Sequence, residues 1–423
     1  VAAERAPVDQ DLFSLRIQAL DGDLRLAETR NEFRLDGEEH GLTAGQQVFQ
    51  AMMEQDREQL CGPKNLPNPD RRAIRGGSAP SAVVLGGRRI AMPRLRARST
   101  DGQELPLPSF RYASAHDPLD AYTLEQIAIG VATRKYRRTL DPLPDGVAER
   151  AISKSAVSRR FVALTSNRLT TWMAAPLDDL DIRVLFIDGI HFRDHVILLV
   201  LGLDAQGVKH VLGLREGTTE NATVCKALLA DLRQRGLDLD RPALFILDGG
   251  TGLRKAIRDA CGDVAVVHRC QVHKSRNVLE HLPDDVRPRV KKALDDAYGL
   301  ADASLAKRRL EQLAAGLERR HPGAAASLRE GLDETLTLQR LGVAGALYRT
   351  LRSTNAIENL NGLVGHFTRN VRRWRDGQML VRWIAAALHE ARRSFRRVRG
   401  YQDLPKLIAA LDRRTVDTKK AVA

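Results

Sequence analysis

The sequence predicts an α/β protein built around residues 183–280. Three observations carry that reading. From Val184 onwards, apolar runs and helical segments follow in the order strand, strand, strand, helix, strand, helix, strand, helix. Two of those runs end on an Asp-Gly pair, Val184-Leu-Phe-Ile-Asp188-Gly and Leu244-Phe-Ile-Leu-Asp248-Gly. Helical, arginine-rich segments flank the block on both sides, and the formal charge of the 423 residues is +14.

That charge argues for a polyanionic partner rather than for any fold. A membrane surface is a poor candidate, because the longest apolar run, Val196–Leu201, is far too short to span a bilayer. The first residues lack the apolar core of a signal peptide. They also lack an initiator Met, leaving truncation, processing or a Val-type start codon open. Four cysteines at positions 61, 225, 261 and 270 make no disulfide framework, which suits a reducing cytoplasm.

Taken in order, residues 1–60 show helical spacing, for example over Leu42–Met53, and form a first helical region. Residues 61–77 are Pro-, Gly- and Asn-rich and read as a linker. Two β-like runs around Gly86-Gly87 then predict a hairpin within a basic region, 61–115, carrying Arg88, Arg89, Arg94, Arg96 and Arg98. It is either a solvated hairpin or a clamp on a DNA backbone. A Pro- and Ser-rich boundary follows at about 99–118. Residues 116–178 read as a helical, helix-turn-helix-like region, with helices over 122–137 and from about Ile152. The second would be capped by Ser153 or Ser155 and present Lys154, Arg159 and Arg160 from its first turns. The gap between them exceeds that of a standard helix-turn-helix, so an ordinary amphipathic pair competes with this reading.

The core, 179–280, begins with strands Val184–Phe192, His195–Leu203 and Val208–Leu214. A helix at 220–235, strand Ala243–Leu247, a helix at 251–261 and strand Val264–His268 complete it, before a further helix near His273. An antiparallel meander continued by parallel crossovers is the order of a ribonuclease-H-like fold, in which the first and fourth strands are neighbours. Residues 281–345 read as an all-α insertion, with Leu294, Leu305, Leu310, Leu313, Leu317 and Leu328 as anchors. Residues 346–370 carry the helix bearing Glu358, and 371–423 form basic C-terminal helices.

The chemistry rests on Asp188, Asp248 and Glu358. Phosphodiester cleavage without a covalent intermediate suits two Mg²⁺ (or Mn²⁺) ions held by a few carboxylates, so these three acids suffice as metal ligands and catalytic residues. Singly they are weak signals: Asp-Gly pairs are commonly turns, and Glu358 lies three residues after Asn355, the spacing of a capping box. Asn355, Asn359 and Asn361 surround Glu358. Cys270-Gln-Val-His273 is read as bracing the acids from behind; a zinc pair would need two more ligands, and a plain buried Cys beside a helix-opening His is the bland alternative. The following Lys274 and Arg276, and Arg372 and Arg373 in the tail, are further candidate DNA contacts. Trp374 and Trp383 read as core packing or as stacking platforms. Gly249-Gly-Thr-Gly252 lacks phosphate-loop spacing, and no nucleophile elbow is present.

Together these stretches resemble the mutator-type bacterial insertion-sequence transposases of the DDE superfamily. The resemblance is carried by Phe-Ile-Asp188-Gly-Ile-His, Leu-Gly-Leu-Arg-Glu-Gly-Thr-Thr-Glu220-Asn, Leu-Asp248-Gly, His-Arg-Cys270-Gln-Val-His273-Lys-Ser-Arg-Asn, Arg-Ser-Thr-Asn355-Ala-Ile-Glu358-Asn and Val-Arg-Arg-Trp374-Arg-Asp-Gly-Gln-Met. It implies that Asp188, Asp248 and Glu358 form an acidic triad and that Cys270 and His273 are the Cys-x₂-His signature. It further implies Mg²⁺-dependent cleavage and strand transfer at terminal inverted repeats, by a dimer or DNA-assembled oligomer. The rivals are a metal-dependent nuclease or recombinase that does not join strands, and a non-catalytic DNA-binding regulator.

Overall fold

The computed structural model describes residues 39–66, 68, 71–85, 88–115, 149–150, 154–193, 195–217, 222–369, 371 and 373–422. The chain is mixed α/β and divides into two units, Val1–Leu164 and Thr165–Ala423.

In the first unit, helix α1 (Glu39–Cys61) precedes the long hairpin β1 (Ala73–Leu85) and β2 (Arg88–Ser99). Register runs from Ala73 opposite Ser99 to Leu85 opposite Arg88, with an irregularity between Arg75 and Ser78. Short strands β3 (Glu104–Leu105) and, later, β4 (Glu149–Arg150) both pair with β2; helix α2 (Pro108–Ala115) lies between them in the chain. Phe49, Met52 and Met53, three and four residues apart on α1, pack on Val83, Leu85, Ile90 and Met92.

Two sequence expectations change here. The supposed linker at 61–77 contains the start of β1, and both Cys61 and Ala73 are in the core. The supposed boundary at 99–118 contains β3 and α2, whose Leu107 and Ala113 join that core, while Asp56 accepts from the Ser109 N–H at 2.7 Å. The helix expected over 122–137 lies outside the described residues.

Helix α3 (Lys154–Ala174) contains the division between the units. The sheet of the second unit comprises β5 (Ile182–Phe192), β6 (His195–Asp204), β7 (Lys209–Gly217), β8 (Ala243–Leu247) and β9 (Ala265–Arg269), in the order β7-β6-β5-β8-β9. The first three strands are mutually antiparallel; β5–β8 and β8–β9 are parallel. Side chains alternate across a strand, so β5 and β8 feed two cores at once. Val184, Phe186, Leu244 and Ile246 enter one; Leu185, Ile187, Phe245 and Leu247 enter the other.

The second of these cores is closed by α4 (Ala222–Gln234) and α5 (Thr251–Cys261), through Leu228, Leu229, Leu232, Leu253 and Ile257. A run of helices follows: α6 (Gln271–Glu280), α7 (Arg287–Tyr298), α8 (Ala303–Glu318), α9 (Pro322–Arg329), α10 (Leu332–Thr335), α11 (Thr337–Arg340) and α12 (Gly345–Leu351). The insertion has its own core, with Val278, Leu294, Leu310, Leu317 and Leu328 at its centre; Leu305, expected as an anchor, is exposed.

The first sheet face is closed by α13 (Asn355–Thr368), α14 (Gly377–Arg392) and α15 (Leu404–Val422). Ile357, Leu360, Val364, Leu380, Ile384, Leu388, Leu404, Leu407 and Leu411 all contribute to that core. The tail expected as basic helices is therefore also a structural layer. Trp374 meets Phe192 edge to face at 5.5 Å, so its ring packs against the sheet.

Candidate acidic active site

Asp188 and Asp248 follow from strand register. Val184, Leu185 and Phe186 lie opposite Leu244, Phe245 and Ile246; Asp188, still in β5, and Asp248, just past the end of β8, each lie two residues beyond the last of these pairs. Adjacent strands are about 4.8 Å apart, and residues in register on parallel strands point to the same face. Both aspartates continue the even-numbered positions that feed the first sheet face, the one covered by α13. Each sits half-buried where its apolar run ends. The Asp248 carboxylate accepts from the Gly250 N–H at 3.0 Å. Between them Gly249 has φ +124°, and a Cβ there would lie 2.3 Å from Arg269 Nε. This Asp-Gly pair is thus a left-handed step packed under a buried guanidinium, which only glycine accommodates.

Glu358 is carried by α13, whose buried Ile357, Leu360 and Val364 fix its rotation on the sheet. The capping-box reading is not what forms. Thr354 is the N-cap and makes no side-chain cap, Asn355 is exposed, and the Thr354 hydroxyl donates to the Glu358 carboxylate. Thr354 is fully buried and also contacts His273 Nδ1 at 3.2 Å and Cys270 Sγ at 3.5 Å. His273 Nδ1 stands 3.8 Å from the Glu358 carboxylate.

Cys270 opens α6 as its N-cap, its sulfur accepting from the His273 N–H at 3.4 Å. Its own N–H bonds the Leu247 carbonyl, beside Asp248, at 2.7 Å, and the next N–H, of Gln271, bonds the Arg352 carbonyl at 2.9 Å. The Cys-x₂-His turn is thereby tied both to the strand of Asp248 and to the loop before Glu358. Burial pushes the Cys270 thiol up, but hydrogen bonds from His273 and Thr354 outweigh it and leave the thiol below its ordinary value. The Cys270 sulfur raises His273 against the effect of burial, with Glu358 and Asp248 adding to the rise.

Of the three asparagines that the sequence places around Glu358, the structure brings Asn361 to the acids. Asn361 Nδ2 donates to Asp188 Oδ2 at 2.8 Å, and its Oδ1 is buried without a partner. Asn355 and Asn359, the expected neighbours of the acids, are exposed. Among the described residues no three His, Cys, Asp or Glu side chains gather closely enough to hold one ion. The two aspartates lie just beyond the β5–β8 pairing, while the Glu358 carboxylate is engaged by Thr354 and faces His273.

The candidate DNA contacts divide. Arg89, Arg159, Arg276 and Arg373 are exposed. Arg94 pairs with Glu104 at 2.6 Å and lies over the Phe110 ring. Two are placed otherwise than expected. Arg88 is buried at the hairpin end. Lys274 has no exposed surface: its ammonium meets the Ser327 carbonyl and, at 3.3 Å, the Glu330 carboxylate. Burial, then the neighbouring Arg269 charge, brings its pKa down to about 8. Arg372 and the side chains of Lys154 and Arg160 lie outside the described residues.

Residues 22–398 match the family model described as Transposase, Mutator family. The transposase for insertion sequence element IS6120 of Mycolicibacterium smegmatis is 29% identical over 49% of this chain and 64% of its own length. That for element IST2 of Acidithiobacillus ferrooxidans is 30% identical over 41% of this chain and 57% of its own length. The match thus spans less than two thirds of either relative. The transposase for IS256 in transposon Tn4001 of Staphylococcus aureus is 25% identical over 81% of this chain and 87% of its own length.

Proposed function

Because this chain belongs to the Mutator family of transposases, we propose that it cuts DNA at the terminal inverted repeats of a mobile element and joins the freed 3′-hydroxyl ends to target DNA. The observation that supports this reading is that β5 and β8 pair in parallel up to Phe186 opposite Ile246, with Asp188 and Asp248 each two residues further on and the helix of Glu358 packed on the same sheet. A ribonuclease-H-like core is the matching finer description of a sheet ordered β7-β6-β5-β8-β9.

The donors suit a hard divalent cation: two carboxylates and, at Asn361 Oδ1, a buried amide oxygen with no other partner. Asp188 and Asp248, with Glu358, would hold Mg²⁺ or Mn²⁺, which when bound activates the attacking oxygen and stabilises the departing one. Asn361 fixes the Asp188 carboxylate, and the Gly250 N–H fixes that of Asp248. Glu358 completes the set by turning from Thr354 and His273 towards the aspartates. The partner is double-stranded DNA, gripped by exposed arginines such as Arg89, Arg159, Arg276 and Arg373 on a chain of net charge +14. Two inverted repeats brought together call for a homodimer or a DNA-assembled oligomer.

The test is incubation with inverted-repeat DNA and Mg²⁺. A transposase gives metal-dependent nicks and joined product, both lost in Asp248→Asn. Nicks without joined product point to a nuclease, and a shifted band with no cutting points to a regulator; either outcome overturns the proposal.

A further inference from the structure

Beyond the acids, α6 and α7 bound a cleft of about 470 Å³ whose walls are two helix faces. Arg276 and Glu280 come from α6; Arg287, Lys291 and Asp295 come from α7, and Arg352 also lines it. We propose that this cleft is a binding site for one backbone phosphate of a DNA strand, gripped jointly by Arg276 and Arg352. The inference deepens the nucleic-acid reading above and rests on it for the identity of the ligand.

Charge accounting locates the phosphate. Lys291 is matched by Asp295 at 2.7 Å, and Arg287 by Asp284 at 2.6 Å, with its Nε also on the Leu279 and Leu282 carbonyls. Those cations are engaged. Arg276 and Arg352 have no ion pair among the described residues, although both line the cleft. Guanidinium groups present planar forks suited to a phosphate, and two on one phosphate are stronger than either alone.

The cleft is also polar along its length. On α6 the order is His273, Arg276, Glu280, so its cationic part lies on the His273 side and Glu280 one turn farther away. Arg352 stands two residues before Thr354, which holds Glu358, and its carbonyl is pinned to α6 by the Gln271 N–H. A phosphate therefore has favourable partners only at the end next to the acids, where a strand entering the active site must pass. Glu280 repels a second phosphate, which limits the cleft to one.

The experiment uses the full chain in EDTA, with a labelled duplex carrying the element's inverted repeat, and measures affinity from roughly 50 to 200 mM salt. Each neutralised phosphate contributes about 0.9 to the slope of log affinity against log salt. The double variant Arg276→Gln/Arg352→Gln should lower the slope by that amount, and Arg276→Gln or Arg352→Gln alone by less, because the remaining guanidinium still neutralises the one phosphate they share. Arg276→Lys should keep the slope. Thermal melting checks folding, and exposed Arg276 reports on the cleft even if the Arg352 variant is unstable. An unchanged slope in the double variant, or single variants that each lose about 0.9 with the double losing about twice that, overturns the shared site. With metal chelated, cutting plays no part. If the unsubstituted chain fails to nick in Mg²⁺ while the variants show the slope changes expected above, the catalytic proposal falls and this one stands.

Discussion

At the residue scale, Asn361 and Thr354 hydrogen-bond two of the three candidate carboxylates, those of Asp188 and Glu358. A carboxylate on a flexible side chain must be aimed, and partners of this kind are typically worth ten- to hundred-fold in activity or metal affinity. Asn361→Ala frees Asp188 from its 2.8 Å donor, so nicking of inverted-repeat DNA should fall about 10- to 100-fold, with the Mg²⁺ requirement moved higher. Unchanged nicking at limiting Mg²⁺ would leave Asn361 without that role. Thr354→Val keeps the buried shape but removes the hydroxyl joining Glu358, His273 and Cys270. It should alter the nicking rate, whereas Thr354→Ser, keeping the donor, should restore it. A loss shared equally by both variants would mean packing alone matters. Gly249→Ala forces a side chain into φ +124° and against Arg269, so urea melts should show about 1–3 kcal/mol of lost stability.

What the sequence disclosed at the scale of elements depended on helix phase. The core strands were legible because each is a single apolar run closed by turn residues, and their limits in the structure differ by a few residues at most. Positions on helices were harder. On α13 the inward stripe is Ile357, Leu360 and Val364; Asn361 borders it, whereas Asn355 and Asn359 lie on the exposed side. On α6 the same logic buries Gln271, Lys274 and Val278 and exposes Arg276, so a basic-looking turn has one cation inside and one out. The start of β1 was masked by Gly76-Gly77 and Pro80, which interrupt the alternation where the ladder itself is irregular. In the tail, arginines drew attention from Leu380, Ile384 and Leu388, spaced four apart along one face of α14. That stripe predicts that Leu388→Ala costs about 2–5 kcal/mol in denaturant melts, as for any large side chain removed from a packed core. A cost near zero would show that the tail is not integral to the sheet.

For the whole molecule, a basic surface and a buried histidine set opposite demands on pH. Lower pH adds positive charge, favouring a polyanion, but His268 limits how far that can go. It lies fully buried on β9, and burial drives its pKa down to about 4 from 6.5, helped by the Arg340 guanidinium and resisted by the Arg352 and Glu334 carbonyls. The folded protein therefore refuses a proton that the unfolded chain accepts. Between pH 6.5 and about 4 the unfolded state binds more protons, so stability is fully present above 6.5 and falls as pH drops through that window. At 1.36 kcal/mol per unit, the loss attributable to this one ring approaches about 3 kcal/mol. Glu330 and Glu54 have lowered values too, each against its own burial: Glu330 through Arg269 and Lys274, and Glu54 through Arg75 and Arg57. They also weaken the fold in acid, so the raw pH profile does not isolate the histidine. The difference between wild type and His268→Leu does. Urea melts from pH 7 to 4 should show wild type losing stability relative to the variant on acidification, the variant being the less acid-sensitive. Parallel curves would place acid sensitivity in the carboxylates instead and leave the histidine a passive part of the core.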